Sequence, residues 1–376
     1  MNAAFEIQLI AIIVSVACAL PGTFLVLRKM AMMSDAITHT VLLGIVLAFF
    51  ITHDLNSPLL IAGAALIGII TVWLTETVTR TKLVSEDSAI GIVFPLLFSI
   101  AIILITRYAG SVHLDTDSVL LGELAFAPFD RMIIFSKDIG AKSIYTMGTL
   151  LLINAFLLFT FYKELKLTTF DSLLAAMLGF SPVWIHFGLM ALVSLTAVGA
   201  FEAVGSVLVI AFMIGPPLSA YLLSNNLKTL LFLSAGFGTM SAISGYQLSA
   251  LLDVSIAGSM AVTTGLIFAA VFTFSPKQGL IGILLRKKRQ REEVFQHTVL
   301  TYIQNHENNP ASTEKMSLPS IALHLHWTQK NLLTIVTHLQ KNGQITLGEG
   351  NLSMTQKGRD VHQQFTNLLF NPLRKP

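Results

Sequence analysis

Between residues 7 and 275 the chain alternates long apolar stretches with short polar breaks. A helix that crosses a bilayer needs about 20 mostly apolar residues. That measure predicts nine spans, at 7–27, 31–51, 58–77, 89–106, 139–162, 183–200, 204–223, 229–246 and 256–275. A broken or re-entrant helix is compatible with such a pattern where it lines a protein cavity.

The pattern changes at Arg286. The run RKKRQREE is a charged juncture, and polar positions dominate beyond it. Apolar periodicity there predicts helices over 293–305, 318–324 and 329–341. The stretch GQITLGEGNLSMTQKGRDV follows, in which Gly348 and Gly350 suit a hairpin turn between two short strands. A last helix is expected over 360–369. Three helices followed by a hairpin is the winged helix-turn-helix pattern. The expected fold class is an all-α polytopic membrane protein of about 8–9 transmembrane helices, with a small cytoplasmic α+β winged-helix domain. The expected divisions are a transmembrane domain at 1–280, a basic juxtamembrane linker at 281–293 and a soluble domain at 294–376.

Composition agrees with a membrane chain. Of 376 residues, 53% are hydrophobic and only 12% charged, and mean hydropathy is +0.71. These values exclude an ordinary soluble globular protein. Cys18 is the only cysteine, which excludes an intrachain disulfide and a thiolate metal cluster. The first apolar run follows an uncharged start and reads as a mature span, not a cleavable signal. The net charge of +3 is small, and the basic residues are placed as orienting charges. Arg28 and Lys29 follow the first span, Arg80 and Lys82 the third, Lys163 and Lys166 the fifth, and Lys228 the seventh. Lys277, Arg286, Lys287, Lys288, Arg289 and Arg291 follow the ninth. All lie on one side if the N-terminus is outside and the C-terminus cytoplasmic. The long loop from Arg107 to Lys142 is mixed in charge.

Candidate chemistry begins in MMSDAITHTVLLG, residues 32–44. Asp35 and His39 are four apart, so a helix places them on one face. An ionisable side chain at mid-bilayer costs roughly 2.5–3.5 kcal/mol on insertion scales, and such groups usually face a pathway. An oxygen and a nitrogen ligand suit manganese, iron or zinc, but two ligands do not select among them. The alternative is a capping Asp35 near the inner interface and a packed polar His39. Glu202 is expected at the outer end of the seventh span, either admitting cations or favouring a helix N-terminus. Gly215, Pro216 and Pro217 are expected to break a helix. In FDSLLAAMLGF, Asp171 can cap a short helix and Gly179 can end it. No G-x-x-x-x-G-K-[ST] phosphate loop is present, so any ATPase would be a separate chain.

The stretch RKMAMMSDAITHTVLLGIVLA resembles the signature of bacterial ABC-type permeases for manganese, zinc and iron(II). The resemblance extends to EDSAIGIVFPLLFSIAIIL, DSVLLGEL, FDSLLAAMLGF, FEAVGSVLVIAFMIGPPLSAYLL and SPKQGL, in order through most of residues 7–280. Leu43 and Ser255 stand where that family often has proline. The resemblance implies a multi-pass subunit of the bacterial inner membrane that imports divalent metal, manganese first, with zinc and iron open. It implies that Asp35 and His39 line the translocation path. A second permease, identical or related, would complete the ligand set. Asp171, Ala175 and Gly179 would belong to a coupling helix seated on a cytoplasmic ATPase, and an extracytoplasmic metal-binding protein would deliver the ion. The metal would be cargo, with no permanently bound cofactor.

The tail segment from Leu318 to Val361 resembles the winged-helix domain of DtxR-type metal-responsive repressors. Gln329, Lys330 and Asn331 would then open a recognition helix. Lys330, Lys341, Lys357 and Arg359, opposed by Glu349 and Asp360, make a thin basic footprint for phosphate contacts. That favours a protein-binding or regulatory domain over DNA as partner. His324 and His326 point apart in a short helix and make a poor metal pair. Two other readings stand beside the permease. One is a proton-coupled metal transporter in which Asp35 and His39 relay protons, and the other a membrane-tethered metal-responsive transcription regulator.

Overall fold

The computed structural model describes residues 3–54, 57–108, 124–134, 137–276, 279–307, 317–348 and 351–370. Lys277, Glu349, Gly350 and residues 117–123 of the DSVLLGEL match lie outside the described residues. The chain divides into two units, Met1–Gly279 and Leu280–Pro376.

The first unit contains nine helices, among the described residues, that are long and apolar enough to cross a membrane. They are α1 (Ala3–Leu27), α2 (Ala31–Thr52), α3 (Pro58–Arg80), α4 (Glu86–Tyr108) and α5 (Lys142–Thr160), then, after two short helices, α8 (Pro182–Val204), α9 (Ser206–Leu223), α10 (Leu227–Leu252) and α11 (Ile256–Phe274). The short helices are α6 (Tyr162–Phe170) and α7 (Ser172–Met177). A hairpin, β1 (Arg131–Ile134) and β2 (Lys137–Ala141), pairs antiparallel before α5, with a register shift between Met132 and Ile133.

Helices α1 and α8 are central. Ile10, Val14 and Cys18 of α1 pack with Met33, Ile37 and Val41 of α2, Met190 and Val193 of α8, and Phe212 and Met213 of α9 in one buried core. Peripheral α5 and α10 instead expose Phe156, Phe159, Phe232 and Leu251. Apolar surface of that extent suits lipid or another membrane chain, not water. Polar side chains within the spans close bonds inside the protein. Thr71 donates to the Ile67 carbonyl and to Thr40. Asn154 of α5 donates to the Ala17 carbonyl of α1 and to Thr196 of α8, each at 2.9 Å. In an apolar medium such groups must find partners within the protein.

Several expected boundaries move. Residues 139–141 are strand, not the start of the fifth span, because they pair with β1 and Gly140 adopts φ +128. Helix α10 extends to Leu252, where Asp253 ends it in a left-handed conformation, φ 54. Ser255, where the resembled family often has proline, instead caps α11 by accepting the Gly258 amide. The expected break at Gly215 and Pro216 is absent, since α9 runs through both prolines. Pro217 has no N–H to donate to the Met213 carbonyl four residues back. Gly22 of α1 lies against that carbonyl so closely that a Cβ would overlap it. Close packing of α1 at Gly22 thus faces the carbonyl that Pro217 leaves without its helix donor.

The second unit is built from α12 (Leu280–Glu307), α13 (Leu318–His324), α14 (Gln329–Lys341), the hairpin β3 (Ile345–Gly348) and β4 (Asn351–Met354), and α15 (Gln356–Phe370). Its core gathers Val299, Leu300 and Ile303 from α12, Leu332, Val336 and Leu339 from α14, and Ile345 and Leu352 from the hairpin. Ser317 bridges Asn351 beside β4. The charged run at 286–293 is helical throughout. It holds no Gly or Pro, and Arg289 pairs with Glu293 one turn on, at 3.0 Å.

Candidate metal pathway

Helix α2 starts after Met30, which provides no side-chain cap. Asp35 therefore lies inside the helix, and the capping alternative does not apply to it. Its Oδ1 stands 3.4 Å from His39 Nε2. From Met33 to Gly44 every residue is buried except these two, which retain 30% and 31% side-chain exposure. A single apolar helix thus offers an open edge of one carboxylate and one imidazole. The backs of the same turns are fixed by neighbours, since Thr40 is bonded to Thr71 of α3 and Ile37 belongs to the central core.

The His39 ring is held from α4. Phe94 stacks on it at a centroid distance of 5.7 Å, and Phe98 meets it edge-on at 5.9 Å. These aromatic contacts limit rotation of the ring and keep it beside Asp35. They were not legible in the sequence, where Phe94 and Phe98 are two apolar residues among many. Among the described residues, no three His, Cys, Asp or Glu side chains are grouped to hold an ion. One chain presents one carboxylate and one imidazole at this edge.

Glu202 is not brought to that edge. It lies in the last turn of α8, one helix earlier than expected, because α8 continues past residue 200 to Gly205 at φ 80. Its Oε1 is 3.8 Å from Lys142 Nζ, which is also 3.8 Å from Asp130. On the same side of the unit, Arg131 bonds Glu6 and Asp138. The Arg131 guanidinium holds the Asp138 carboxyl below the usual carboxylate range.

Asp171 caps α7, accepting the Leu174 amide at 2.9 Å. At the other end the Phe180 amide bonds the Ala175 carbonyl and the Gly179 amide bonds that of Ala176. This is a Schellman closure, and it requires the φ of +86 that Gly179 supplies. Ala175 is fully buried, so it cannot touch a partner. Leu173 and Met177 are 73% and 78% exposed and form the apolar outer face of the helix.

In the sequence Arg28 reads only as an orienting charge. In the structure its side chain turns inward. Nε donates to Thr169 Oγ1 and a terminal nitrogen to Thr168 Oγ1, and the other terminal nitrogen meets His186 Nδ1, each at 3.1 Å. In the second unit, Gln329, Lys330 and Asn331 are exposed on the first turn of α14. Arg359 is paired with Glu307 at 3.6 Å, which thins the basic footprint further.

The family model of the ABC 3 transport family matches residues 2–275. The chain belongs to this family. As a permease-family chain it is similar to the zinc transport system membrane protein TroD of Treponema pallidum, with 42% identity over 358 residues, 95% of this chain and 97% of that one. It is 44% identical to the manganese transport system membrane protein MntD of Bacillus subtilis over 291 residues, 77% of this chain and 98% of that one. Among solved structures it resembles PsaBC from Streptococcus pneumoniae in complex with Fab. There the TM-score is 0.61 and the identity 28%, over 74% of this chain and 94% of that chain. The permease is therefore a membrane-spanning transport subunit, a role without catalysis of its own.

Proposed function

We propose that this permease carries a divalent transition-metal ion across the bacterial inner membrane through a path lined by Asp35 and His39. The observation that carries the reading is their exposure as a pair on a helix otherwise buried from Met33 to Gly44. Relatives named for manganese and for zinc support those two cargoes. One carboxylate oxygen beside one imidazole nitrogen suits manganese, zinc and iron(II) alike. Two ligands leave an ion undercoordinated, so a second permease, a copy or a related chain, brings its own pair to the open edge. Glu202, at the far end of α8, helps admit the cation from outside.

Transport is driven by a separate cytoplasmic ATPase, and an extracytoplasmic binding protein delivers the ion. The Lys and Arg pattern supports an outside N-terminus and a cytoplasmic second unit. Helix α7 is then the coupling helix, with Leu173 and Met177 facing the ATPase and Asp171, Ala175 and Gly179 holding its shape. The second unit, three helices followed by a hairpin, is a winged-helix-like regulatory domain. The thin basic footprint of Lys330, Lys341 and Lys357, with Arg359 paired to Glu307, supports a protein partner over DNA at Gln329, Lys330 and Asn331.

The test is uptake by the full complex in proteoliposomes, supplied with manganese, zinc or iron(II). ATP-dependent uptake of one of these ions supports the reading. Uptake driven by a proton gradient without ATP would replace it with a secondary transporter.

A further inference from the structure

Arg28 stands in a three-residue turn between α1 and α2. Three features make that turn stiff. The Met30 amide bonds the Leu25 carbonyl and the Lys29 amide bonds that of Val26. Lys29 adopts φ 62, a left-handed conformation that costs a non-glycine residue roughly 1–2 kcal/mol and persists only where its surroundings fix it. Helix α2 then begins at once, and Asp35 follows Arg28 by seven residues, about two helical turns.

The Arg28 side chain spans three elements. It donates to Thr168 and Thr169 in the last turn of α6 and to His186 near the start of α8. A guanidinium has no acceptor, so the imidazole accepts at Nδ1 and carries its proton on Nε2. Thr168 also donates to the Glu164 carbonyl, which orients its hydroxyl for the guanidinium. Asp171, the cap of α7, follows Thr169 by two residues.

We infer that Arg28 is a positioning residue that ties the α6–α7 arm to the helix bearing Asp35 and His39, so that displacement of α7 changes the setting of the metal ligands. This rests on the reading of α7 as the ATPase-coupling helix. A planar fork with three fixed partners transmits displacement in a way one flexible ammonium does not. The stiff turn passes it to α2 without a hinge between.

The test uses the reconstituted complex and measures ions imported per ATP hydrolysed. Arg28→Ala and the shape-conserving Thr168→Val/Thr169→Val pair each lower that ratio by about tenfold or more, the scale expected when bonds to a charged group are lost. Co-purification of the ATPase and the KM for the metal-loaded binding protein change less than about twofold, and Arg28→Lys restores part of the ratio. A purely structural role would lower complex yield, hydrolysis and uptake together and leave the ratio unchanged, which would overturn the inference. Leu173→Asp/Met177→Asp separates the two claims. If that variant keeps its ATPase and its transport, the coupling-helix reading fails. If it loses them while Arg28→Ala keeps a normal ratio, the Arg28 inference alone fails.

Discussion

At the scale of single residues, charge placement governs the molecule. Asp35 and His39 are tolerated because they keep an open edge while their own helix is packed behind them. Glu6 is buried to 1% exposure but answered by Arg131 at 3.3 Å. In the second unit His297 of α12 stacks on Phe365 of α15 at a centroid distance of 3.6 Å. Burial, and then the neighbouring His362, push the His297 imidazole below the usual histidine value. A group that binds its proton more readily in the unfolded chain favours unfolding as the pH falls. Its contribution is therefore intact above the usual imidazole value of about 6.5 and is lost as the pH drops through the lower folded-state value. Limited proteolysis of the full-length protein should cut the second unit faster at acidic than at neutral pH. His297→Asn should flatten that dependence, and an unchanged slope would remove His297 as its source.

At the scale of elements, hydropathy was enough to find the nine long helices, because each must present apolar surface along its whole length. It failed where backbone bonding decided the outcome. Residues 139–141 are apolar enough to begin a span, yet pairing with β1 takes them into a strand. The Pro216–Pro217 step signals a break in isolation, but α1 packs against α9 at that level through Gly22. Substituting Gly22→Ala should therefore force α1 from α9 and destabilise the detergent-solubilised protein by about 1–3 kcal/mol, as overpacking does in cores. Its thermal midpoint should drop, and an unchanged midpoint would show that this close approach is not a constraint. Of the candidate site, the Asp35–His39 spacing was legible, whereas the Phe94 and Phe98 contacts on His39 and the inward turn of Arg28 were not. Those depend on which helices meet, and no local pattern encodes that.

At the scale of the whole molecule, the chain joins a transport unit to a second unit with its own core. The family match ends at residue 275, before α12 begins. Val299, Leu300 and Ile303 of α12 serve the second core, not the first. Truncation after Arg291 should thus leave a permease that assembles and imports metal, while altering its response to high metal. Uptake compared at low and high metal checks this, and loss of transport at every level in a well-assembled complex would make the second unit part of the machine. The claim on which all else depends is that metal passes Asp35 and His39. The most direct measurement is ATP-dependent uptake of manganese and zinc by reconstituted complexes carrying Asp35→Asn or His39→Ala, each first shown to assemble with its ATPase. Both variants should fall to the background of empty liposomes, and near-normal uptake by either would contradict the pathway.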